Sequence, residues 1–169
     1  MPAEPRPAYA RLARQGAGGG ILAGLVTGVD HIGVCVAGID DAGSGWSALL
    51  GLPLVDREDV GAQRTTAGFV RMPDGGAALE LVCPMPGNTG LDKFVVQRGD
   101  ALHHVAFGVS DIAAALERLT AAGVELIDRA ARPGAGGHLV AFLHPRALGG
   151  TLVELVQRAE HASKTSRGG

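Results

Sequence analysis

The sequence predicts an α+β fold built from two βαβββ modules related by a pseudo-twofold axis, because two parts of the chain repeat each other. The stretch 30–36 (DHIGVCV) matches 103–109 (HHVAFGV), and 78–82 (ALELV) matches 152–156 (LVELV). Each copy has a histidine in its first strand-like run and a glutamate in its last, at nearly the same separation along the chain. Two such modules would place sheet against sheet, or edge to edge, around a cleft lined by the inner faces of their strands.

The first module opens with a strand and a short helix. Residues 29–36 are rich in β-branched side chains, and their alternation places His31 on one face of the strand. A helix over residues 40–50 follows, with Asp40 as its N-cap and Gly51 at its end.

Three more strands complete the first module, and a linker follows it. The turn-forming run 72–76 (MPDGG) separates the last two of these strands. The predicted strands cover residues 53–59, 65–72 and 77–83. The linker covers residues 84–101 and contains a short helical stretch at 91–97.

The second module repeats this order with clearer patterns. A strand at 102–109 leads to Ser110, which is a favoured N-cap residue, and to a helix over 111–122 that ends before Gly123. The three following strands are predicted at 124–128, 138–143 and 151–157. The resulting order is βαβββ, linker, βαβββ.

The two modules form one domain, and both ends of the chain differ from it in composition. The predicted boundaries are 1–28 for a disordered leader, 29–157 for the domain (modules at 29–83 and 102–157) and 158–169 for a disordered tail. The end segments bury too little apolar surface to offset chain entropy. The apolar run 21–26 is shorter than a signal sequence needs, and no run approaches the roughly 20 residues of a membrane helix. We therefore expect a cytoplasmic protein with no membrane partner.

Charge and cysteine content exclude other classes of function. The net charge is −2 and acidic and basic residues are mixed along the chain, so the basic surface that nucleic-acid binding requires is not predicted. Cys35 and Cys83 lie in strand-like runs without metal-ligand spacing. We interpret them as free thiols, which fits a reducing compartment.

The repeated histidines and glutamates, His31, Glu80, His104 and Glu154, are the candidate metal ligands. Taken singly, each has an ordinary structural explanation, since a histidine fits a half-buried strand and a glutamate can face the wet side of a sheet. A buried carboxylate without a partner is costly, however, so an inward-facing glutamate needs a cation. The duplicated pattern favours a metal site, because two imidazoles and two carboxylates suit a divalent ion of borderline hardness.

The remaining polar groups of interest are given structural roles. His103 has the opposite strand parity from His104, so we expect it outside the ligand set. His138 and His144 are expected at the surface or behind the ligands. The glycine-rich stretch 133–137 could bind a phosphate through its amides, but it lacks the strand-to-helix context of a phosphate loop.

These motifs are typical of a known family. Over about residues 29–157 the chain resembles the vicinal oxygen chelate superfamily and, within it, the methylmalonyl-CoA epimerase family. The matching stretches are 29–33 (VDHIG), 102–107 (LHHVAF), 132–137 (RPGAGG), 141–145 (AFLHP) and 149–155 (GGTLVEL). The last stretch is the most specific, because the superfamily as a whole shares only the histidine and glutamate positions.

The resemblance implies a vicinal oxygen chelate fold whose metal positions fall on His31, Glu80, His104 and Glu154, with Glu154 also implicated as a base. It implies an enzyme that interconverts (R)- and (S)-methylmalonyl-CoA by removing the α-proton, the resulting enolate being stabilised by a divalent ion. Cobalt, manganese, nickel and zinc all suit this ligand set. The expected partners are an acyl-CoA substrate and a second copy of the chain in a homodimer.

The residue that returns the proton is left unassigned. Some bacterial members of the family carry a further glutamate shortly after a glutamine on the third strand. Gln63 corresponds to that glutamine, but residues 65–67 (TTA) occupy the stretch that follows.

Three alternatives to the epimerase stay open at this point. A glyoxalase-type lyase acting on a glutathione hemithioacetal would use a similar set of four ligands. A ring-cleaving dioxygenase is disfavoured, because it needs two histidines and one carboxylate with more open positions. A metal-free small-molecule-binding protein is disfavoured by the four ligands and by an aromatic content of only 4 %.

Overall fold

A computed structural model describes residues 12–14 and 19–159 and shows the predicted repeat of elements. The strands are β1 (Val26–Cys35), β2 (Leu54–Val60), β3 (Thr65–Val70), β4 (Ala78–Pro84), β5 (Ala101–Val109), β6 (Arg132–Pro133), β7 (Leu139–Leu143) and β8 (Val153–Gln157). The helices are α1 (Ile39–Leu50), α2 (Thr89–Arg98) and α3 (Ile112–Ala121), with 3₁₀ turns at Ala135–Gly137 and Pro145–Leu148.

All eight strands belong to one sheet, in the order β2-β3-β4-β1-β5-β8-β7-β6. Strand β1 pairs in parallel with β4, and β5 pairs in parallel with β8, so each module has the same internal arrangement. The modules join through the antiparallel pairing of β1 with β5. This symmetric order confirms the predicted α+β fold of two βαβββ modules.

Each module buries a helix against the sheet face that lies away from the cleft. In the second module, Ile112, Leu116 and Leu119 of α3 pack on side chains such as Ala141 and Leu155 of β7 and β8. Complete burial of such a side chain contributes roughly 1.5–3 kcal/mol. The alternate residues of the same strands then face the opposite side, where the cleft lies.

The helix of the first module contains Gly43, which is a weak helix former. A Cβ at this position would lie 2.6 Å from the Cδ2 atom of Leu54, so a larger residue would require the Leu54 side chain to move. This helix begins at Ile39 after Gly38, which makes no side-chain cap. The expectation that Asp40 is the N-cap is therefore wrong, and its carboxylate pairs with Arg57 instead.

The described part of the predicted leader packs against the domain. Strand β1 begins at Val26, three residues earlier than predicted, and Ile21, Leu22 and Leu25 lie against the core of the second module. These three side chains are half-buried, which the leader's overall composition did not suggest. Residues 1–11, 15–18 and 160–169, which make up most of the predicted leader and tail, lie outside the described residues.

The strand predicted at 124–128 is replaced by a single bridge between Leu126 and Leu143. The carboxylate of Asp128 accepts a hydrogen bond from the Phe142 amide at 2.9 Å, and the Ile127 and Asp128 amides donate to the Phe142 carbonyl. One side chain and one shared carbonyl thus satisfy the groups that a regular ladder would pair. The edge strand is formed instead by Arg132–Pro133, within the predicted glycine-rich loop.

The helix in the second module begins one residue later than predicted. Asp111, not Ser110, is its N-cap and accepts a hydrogen bond from the Ala114 amide at 2.9 Å. The Ser110 hydroxyl donates to the carbonyl of Leu25. Among the described residues, no helix has the length and apolar character needed to span a membrane.

Candidate metal centre

The four predicted ligands come together because of the register of the central strands. Across β4, β1 and β5, Glu80 lies beside Gly33, and Gly33 lies beside His104. Across β8, β5 and β1, Glu154 lies beside Ala106, which in turn lies beside His31. Each row therefore has a glutamate and a histidine separated by a small residue. A Cβ at Gly33 would overlap the imidazole ring of His104, so the small residue makes room for the ligand.

The donor atoms converge on a point inside the cleft. The two imidazole Nε2 atoms lie 3.0 Å apart. The Oε2 atom of Glu80 lies 3.3 Å from Nε2 of His31 and 3.4 Å from that of His104. The Oε2 atom of Glu154 lies 3.0 and 3.2 Å from the same two nitrogens. All four residues are buried, at 4–7 % exposure.

These distances fit a divalent transition-metal ion. Metal–ligand bonds of about 2.1 Å place adjacent donor atoms about 3.0 Å apart in octahedral geometry and about 3.4 Å apart in tetrahedral geometry. The candidate ligand atoms of His31, Glu80 and His104 all lie within 4.8 Å of one another, and Glu154 is in contact with both imidazoles. The four side chains could therefore hold one ion, as the sequence predicts.

Ionisation in the cluster is set by the hydrogen bonds among its members. Burial lowers the pKa of His31, but hydrogen bonds to Asp30, Glu154 and Glu80 outweigh it and raise this pKa to about 11. The pKa of His104 is raised to about 8, since the same two glutamates outweigh its burial. Burial raises the pKa of Glu80, but its imidazole partners lower it to about 2. The pKa of Glu154 is lowered for the same reason. The imidazoles thus carry protons that a cation would have to displace.

His103 lies in contact with the ligand set, although parity places it on the other face. Its Nδ1 atom is 3.0 Å from Nδ1 of His104, and its ring meets Phe94 edge to face at 5.0 Å. Burial and the adjacent His104 lower the pKa of His103 to about 4. His103 is not among the clustered ligand atoms, as expected, and the irregularity of the strand at this residue brings its ring beside that of His104.

A cavity of about 1040 Å³ surrounds the cluster. Its wall is formed by alternate residues of β3, β4, β7 and β8 and includes three phenylalanines. Four arginines also line it: Arg57, Arg71, Arg132 and Arg158. The volume is large for a small metabolite and leaves room for an extended substrate.

Two of these phenylalanines are functional neighbours that the sequence analysis missed. Phe69 is the cross-strand partner of Glu80, and Phe142 is the partner of Glu154. Their rings meet His31 and His104 edge to face at 6.0 and 5.5 Å. The signal was present, because both aromatics stand at matching places in the third strand of their module. Each also has an arginine over its ring, at 5.2 Å for Arg71 on Phe69 and 5.4 Å for Arg132 on Phe142.

The edge of the first module touches the glycine-rich turn of the second across the cavity. The Gly136 amide donates to Oε1 of Glu58 at 2.5 Å, and the side-chain amide of Gln63 donates to the Pro133 carbonyl at 3.3 Å. Both Glu58 and Gln63 line the cavity. These contacts join the two ends of the curled sheet. Glu58 is the third glutamate of the cavity wall, after Glu80 and Glu154, and sequence reasoning did not single it out.

Comparison with known proteins is consistent with this geometry. The sequence profile of the glyoxalase/bleomycin resistance protein/dioxygenase superfamily matches residues 30–142. The chain is 37 % identical over 129 residues to the uncharacterized protein YqjC of Bacillus subtilis, covering 76 % of this chain and 91 % of that protein. It is 28 % identical over 135 residues to the ethylmalonyl-CoA/methylmalonyl-CoA epimerase of Cereibacter sphaeroides, covering 79 % and 99 %.

A solved structure shows the same likeness in three dimensions. The crystal structure of methylmalonyl-CoA epimerase from Mycobacterium tuberculosis superposes with a TM-score of 0.76 at 36 % identity, covering 80 % of this chain and 90 % of that one. The repeat, the curled eight-stranded sheet and the paired histidines and glutamates agree with the profile match. This chain belongs to the glyoxalase/bleomycin resistance protein/dioxygenase superfamily and has the vicinal oxygen chelate fold.

Proposed function

We propose that this protein is a metal-dependent epimerase that interconverts (R)- and (S)-methylmalonyl-CoA or a closely related acyl-CoA. The observation that carries the proposal is the convergence of two imidazoles and two carboxylates inside a large cavity. The similarity to proteins named methylmalonyl-CoA epimerases supports the choice of substrate. The predicted cytoplasmic location and homodimer stay predictions.

His31, Glu80, His104 and Glu154 would hold the ion. Two imidazoles and two carboxylates are compatible with cobalt, manganese, nickel or zinc, and the charges of the two glutamates balance a divalent cation. When bound, the ion supplies Lewis-acid stabilisation of the negative charge that develops on the substrate oxygens as the α-proton leaves. The protein's part is to fix the donors in place and to move the proton.

Glu154 is the proposed base. Its carboxylate is buried, and hydrogen bonds from both imidazoles lower its pKa, so it is ionised at neutral pH and able to accept a proton. It contacts both imidazoles at 3.0 and 3.2 Å, and its cross-strand neighbour Phe142 lines the same part of the cavity. A substrate held at the cluster would thus present its acidic carbon close to this carboxylate.

Inversion also requires a proton donor on the opposite side of the substrate. We assign this role to Glu58, the remaining glutamate of the described cavity wall. It lies on the edge strand β2, whereas Glu154 lies on β8 in the other module. Its present partner, the Gly136 amide, is a backbone donor on a turn and can release the carboxylate when substrate enters.

The deciding experiment is α-proton exchange. Protein loaded with cobalt is incubated with methylmalonyl-CoA in deuterated water, and loss of the α-proton signal is followed by NMR while configuration is followed by a stereospecific mutase assay. The proposal expects fast exchange and inversion that chelator abolishes. His104→Ala should remove bound metal and activity together. The surface variant His144→Ala serves as the matched control, because its ring caps a 3₁₀ turn outside the cluster.

Two outcomes would overturn the proposal. Bound metal without exchange, together with turnover of a glutathione hemithioacetal, would identify a glyoxalase-type lyase. Failure of the purified protein to bind any of the four metals would identify a metal-free binding protein. Full inversion by a Glu58→Gln variant would overturn the role of Glu58 alone.

A further inference from the structure

The central ladder between β1 and β5 contains three register shifts, and two of them fall directly before a candidate ligand. Val29 pairs with Phe107 and His31 pairs with Ala106, so Asp30 is an extra residue on β1. In the other direction, Gly33 pairs with His104 and Val34 pairs with Leu102, so His103 is an extra residue on β5. Both positions are β-bulges, which bend a strand and redirect a side chain.

The bulges matter because neighbouring residues in a regular strand point to opposite faces. At Asp30 the bulge turns the carboxylate toward the ligand ring, and its Oδ1 atom lies 3.0 Å from Nδ1 of His31. Its other oxygen, Oδ2, accepts a hydrogen bond from Nε of Arg158 at 2.6 Å. The side chain of Asp30 is only 9 % exposed, whereas that of Arg158 is 54 % exposed, so the contact with His31 is the buried one of the two.

At the equivalent bulge on β5 the extra residue is a histidine, His103, instead of an aspartate. The Nδ1 atom of His103 lies 3.0 Å from Nδ1 of His104. Since Nε2 of His104 faces the cluster, its Nδ1 atom carries the proton in the neutral ring that binds a metal. His103 must then accept that hydrogen bond through an unprotonated Nδ1 and carry its own proton on Nε2. The two half-sites thus have a carboxylate in one copy and a neutral imidazole in the other.

We infer that Asp30 and His103 are positioning residues of the metal centre, placed by matched bulges to fix the tautomer and ring orientation of His31 and His104. This inference rests on the proposed metal site. A carboxylate makes its histidine a stronger donor than a neutral ring does. The two histidine ligands are therefore unequal, and His31 is the more firmly held of the two.

The test compares variants that keep or remove the hydrogen-bond acceptor. Asp30→Ala and His103→Leu remove it, whereas Asp30→Asn and His103→Asn keep a neutral oxygen in reach. Zinc affinity is measured by competition with a chromophoric chelator. Long-range ¹H–¹⁵N NMR spectra of the zinc-loaded protein report which ring nitrogen of each histidine carries the proton. Asp59→Ala, which removes a surface carboxylate from β2, is the matched control.

We expect Asp30→Ala to weaken zinc binding by roughly 10–100-fold and His103→Leu to weaken it less, with the ring of the affected histidine losing its single tautomer. The asparagine variants should keep the tautomer, and their affinity should lie closer to that of the wild type. Wild-type affinity and unchanged tautomers in both acceptor-free variants would overturn the inference. So would equal losses in the alanine and asparagine variants at position 30.

The readouts separate this inference from the proposed function. Zinc affinity and ring tautomers are measured without substrate, so a wild-type protein that binds zinc but catalyses no exchange would refute the epimerase alone. A wild-type protein that binds no metal would refute both. If the wild type is an active epimerase, and zinc affinity and ring tautomers are unchanged in both acceptor-free variants, only the positioning roles would be refuted.

Discussion

Two small residues, Gly33 and Ala106, each lie between a glutamate and a histidine in adjacent strands. At Gly33 the ring of His104 packs over the space that a side chain would fill. Side-chain size at Gly33 therefore controls the geometry of the centre as directly as the ligands do. The sequence shows both residues two places after the ligand histidines, where they resemble ordinary strand residues.

Substitution of Gly33 by alanine tests this directly. The new methyl group would overlap the ring of His104, so we expect the ring to move and zinc affinity to fall by about tenfold or more. Isothermal titration measures the change. Gly45→Ala is the control, since its Cβ would meet open space in α1 and should raise stability by up to about 1 kcal/mol without changing affinity. Unchanged zinc affinity in the Gly33 variant would refute the fit.

The two glutamates allow a second test at this scale, because they occupy equivalent places in the two modules. Glu154→Gln removes the proposed base, and we expect kcat to fall by roughly 10²–10⁴-fold. Glu80→Gln removes the same charge from the equivalent position and should lose far less kcat, since only metal affinity depends on it. Rates are compared at saturating metal. Equal losses in the two variants would remove the distinction between base and ligand.

Sequence reasoning identified the residues that the structure brings together as candidate ligands, because duplication repeats both their identity and their spacing. It missed Phe69 and Phe142, since a strand phenylalanine is usually a core residue. Their role depends on cross-strand pairing with the glutamates, and pairing is a property of register. No single stretch of sequence contains that information.

Among the elements, helix α3 shows how a local signal can be off by one residue. Ser110 and Asp111 are both good caps, and the choice depends on the chain before the helix. The Ser110 hydroxyl donates a hydrogen bond to the Leu25 carbonyl, and the Asp111 carboxylate caps the helix instead. That contact comes from residues expected to lie in a disordered leader, so the sequence pattern could not have included it.

The cap makes a stability prediction. We expect Asp111→Ala to lower the free energy of unfolding by about 1 kcal/mol, because the Ala114 amide loses its partner. Ser110→Ala should cost less, since its 3.4 Å contact with Leu25 is a longer and weaker one. Urea denaturation followed by circular dichroism gives both values. A larger loss from the serine variant would contradict the cap assignment.

Strand irregularities limited the prediction of elements in the same way. The bulges at Asp30 and His103 bring each residue beside the ligand histidine that follows it, and no residue type in the sequence marks their positions. The strand predicted at 124–128 does not form for a different reason. The Asp128 carboxylate accepts the hydrogen bond that the Phe142 amide would donate to a neighbouring strand. Only this last outcome is decided by a non-local hydrogen bond.

At the scale of the whole molecule, the repeat predicted two matching modules, and the structure shows that they join edge to edge. Two modules with the same order of elements pair through their first strands, and the rest of the sheet follows from the short connections. The contact across the cavity from Glu58 to Gly136 was not predictable, because it depends on how strongly the sheet curls. Curvature is set by bulges and packing along the entire sheet.

The buried cluster also makes the stability of the whole metal-free protein depend on pH. The pKa of His104 is raised to about 8 and that of His31 to about 11, so their stabilisation is fully present below the unfolded value of 6.5 and is lost as pH rises through 8 and beyond. The pKa of Glu80 is lowered to about 2, so its stabilisation is lost as pH falls below 4.5 toward 2. The pKa of His103 is lowered to about 4, so its contribution is lost as pH falls from 6.5 toward 4. We therefore expect the metal-free protein to be most stable near pH 6.

Bound metal should offset the loss of stability that the metal-free protein shows as pH rises above 6.5. Protons compete with the ion for the imidazoles, so the rise in Tm on adding zinc should grow as pH increases from 6 to 8. Thermal unfolding with zinc and with chelator, at half-unit pH steps, measures both trends. A Tm increment that is independent of pH would show that protons and metal do not share these sites.

The even division of donors between the two modules has a mechanical consequence. His31 and Glu80 come from the first module, and His104 and Glu154 come from the second. A cation held by all four cross-links the halves of the sheet at the β1–β5 seam, and its binding energy opposes their separation. A chain cut within the linker 84–101 would keep every donor, but either fragment alone would hold only half of the coordination. The affinity of such fragments for each other would then depend on the concentration of the ion, because each fragment supplies only half of the ligands.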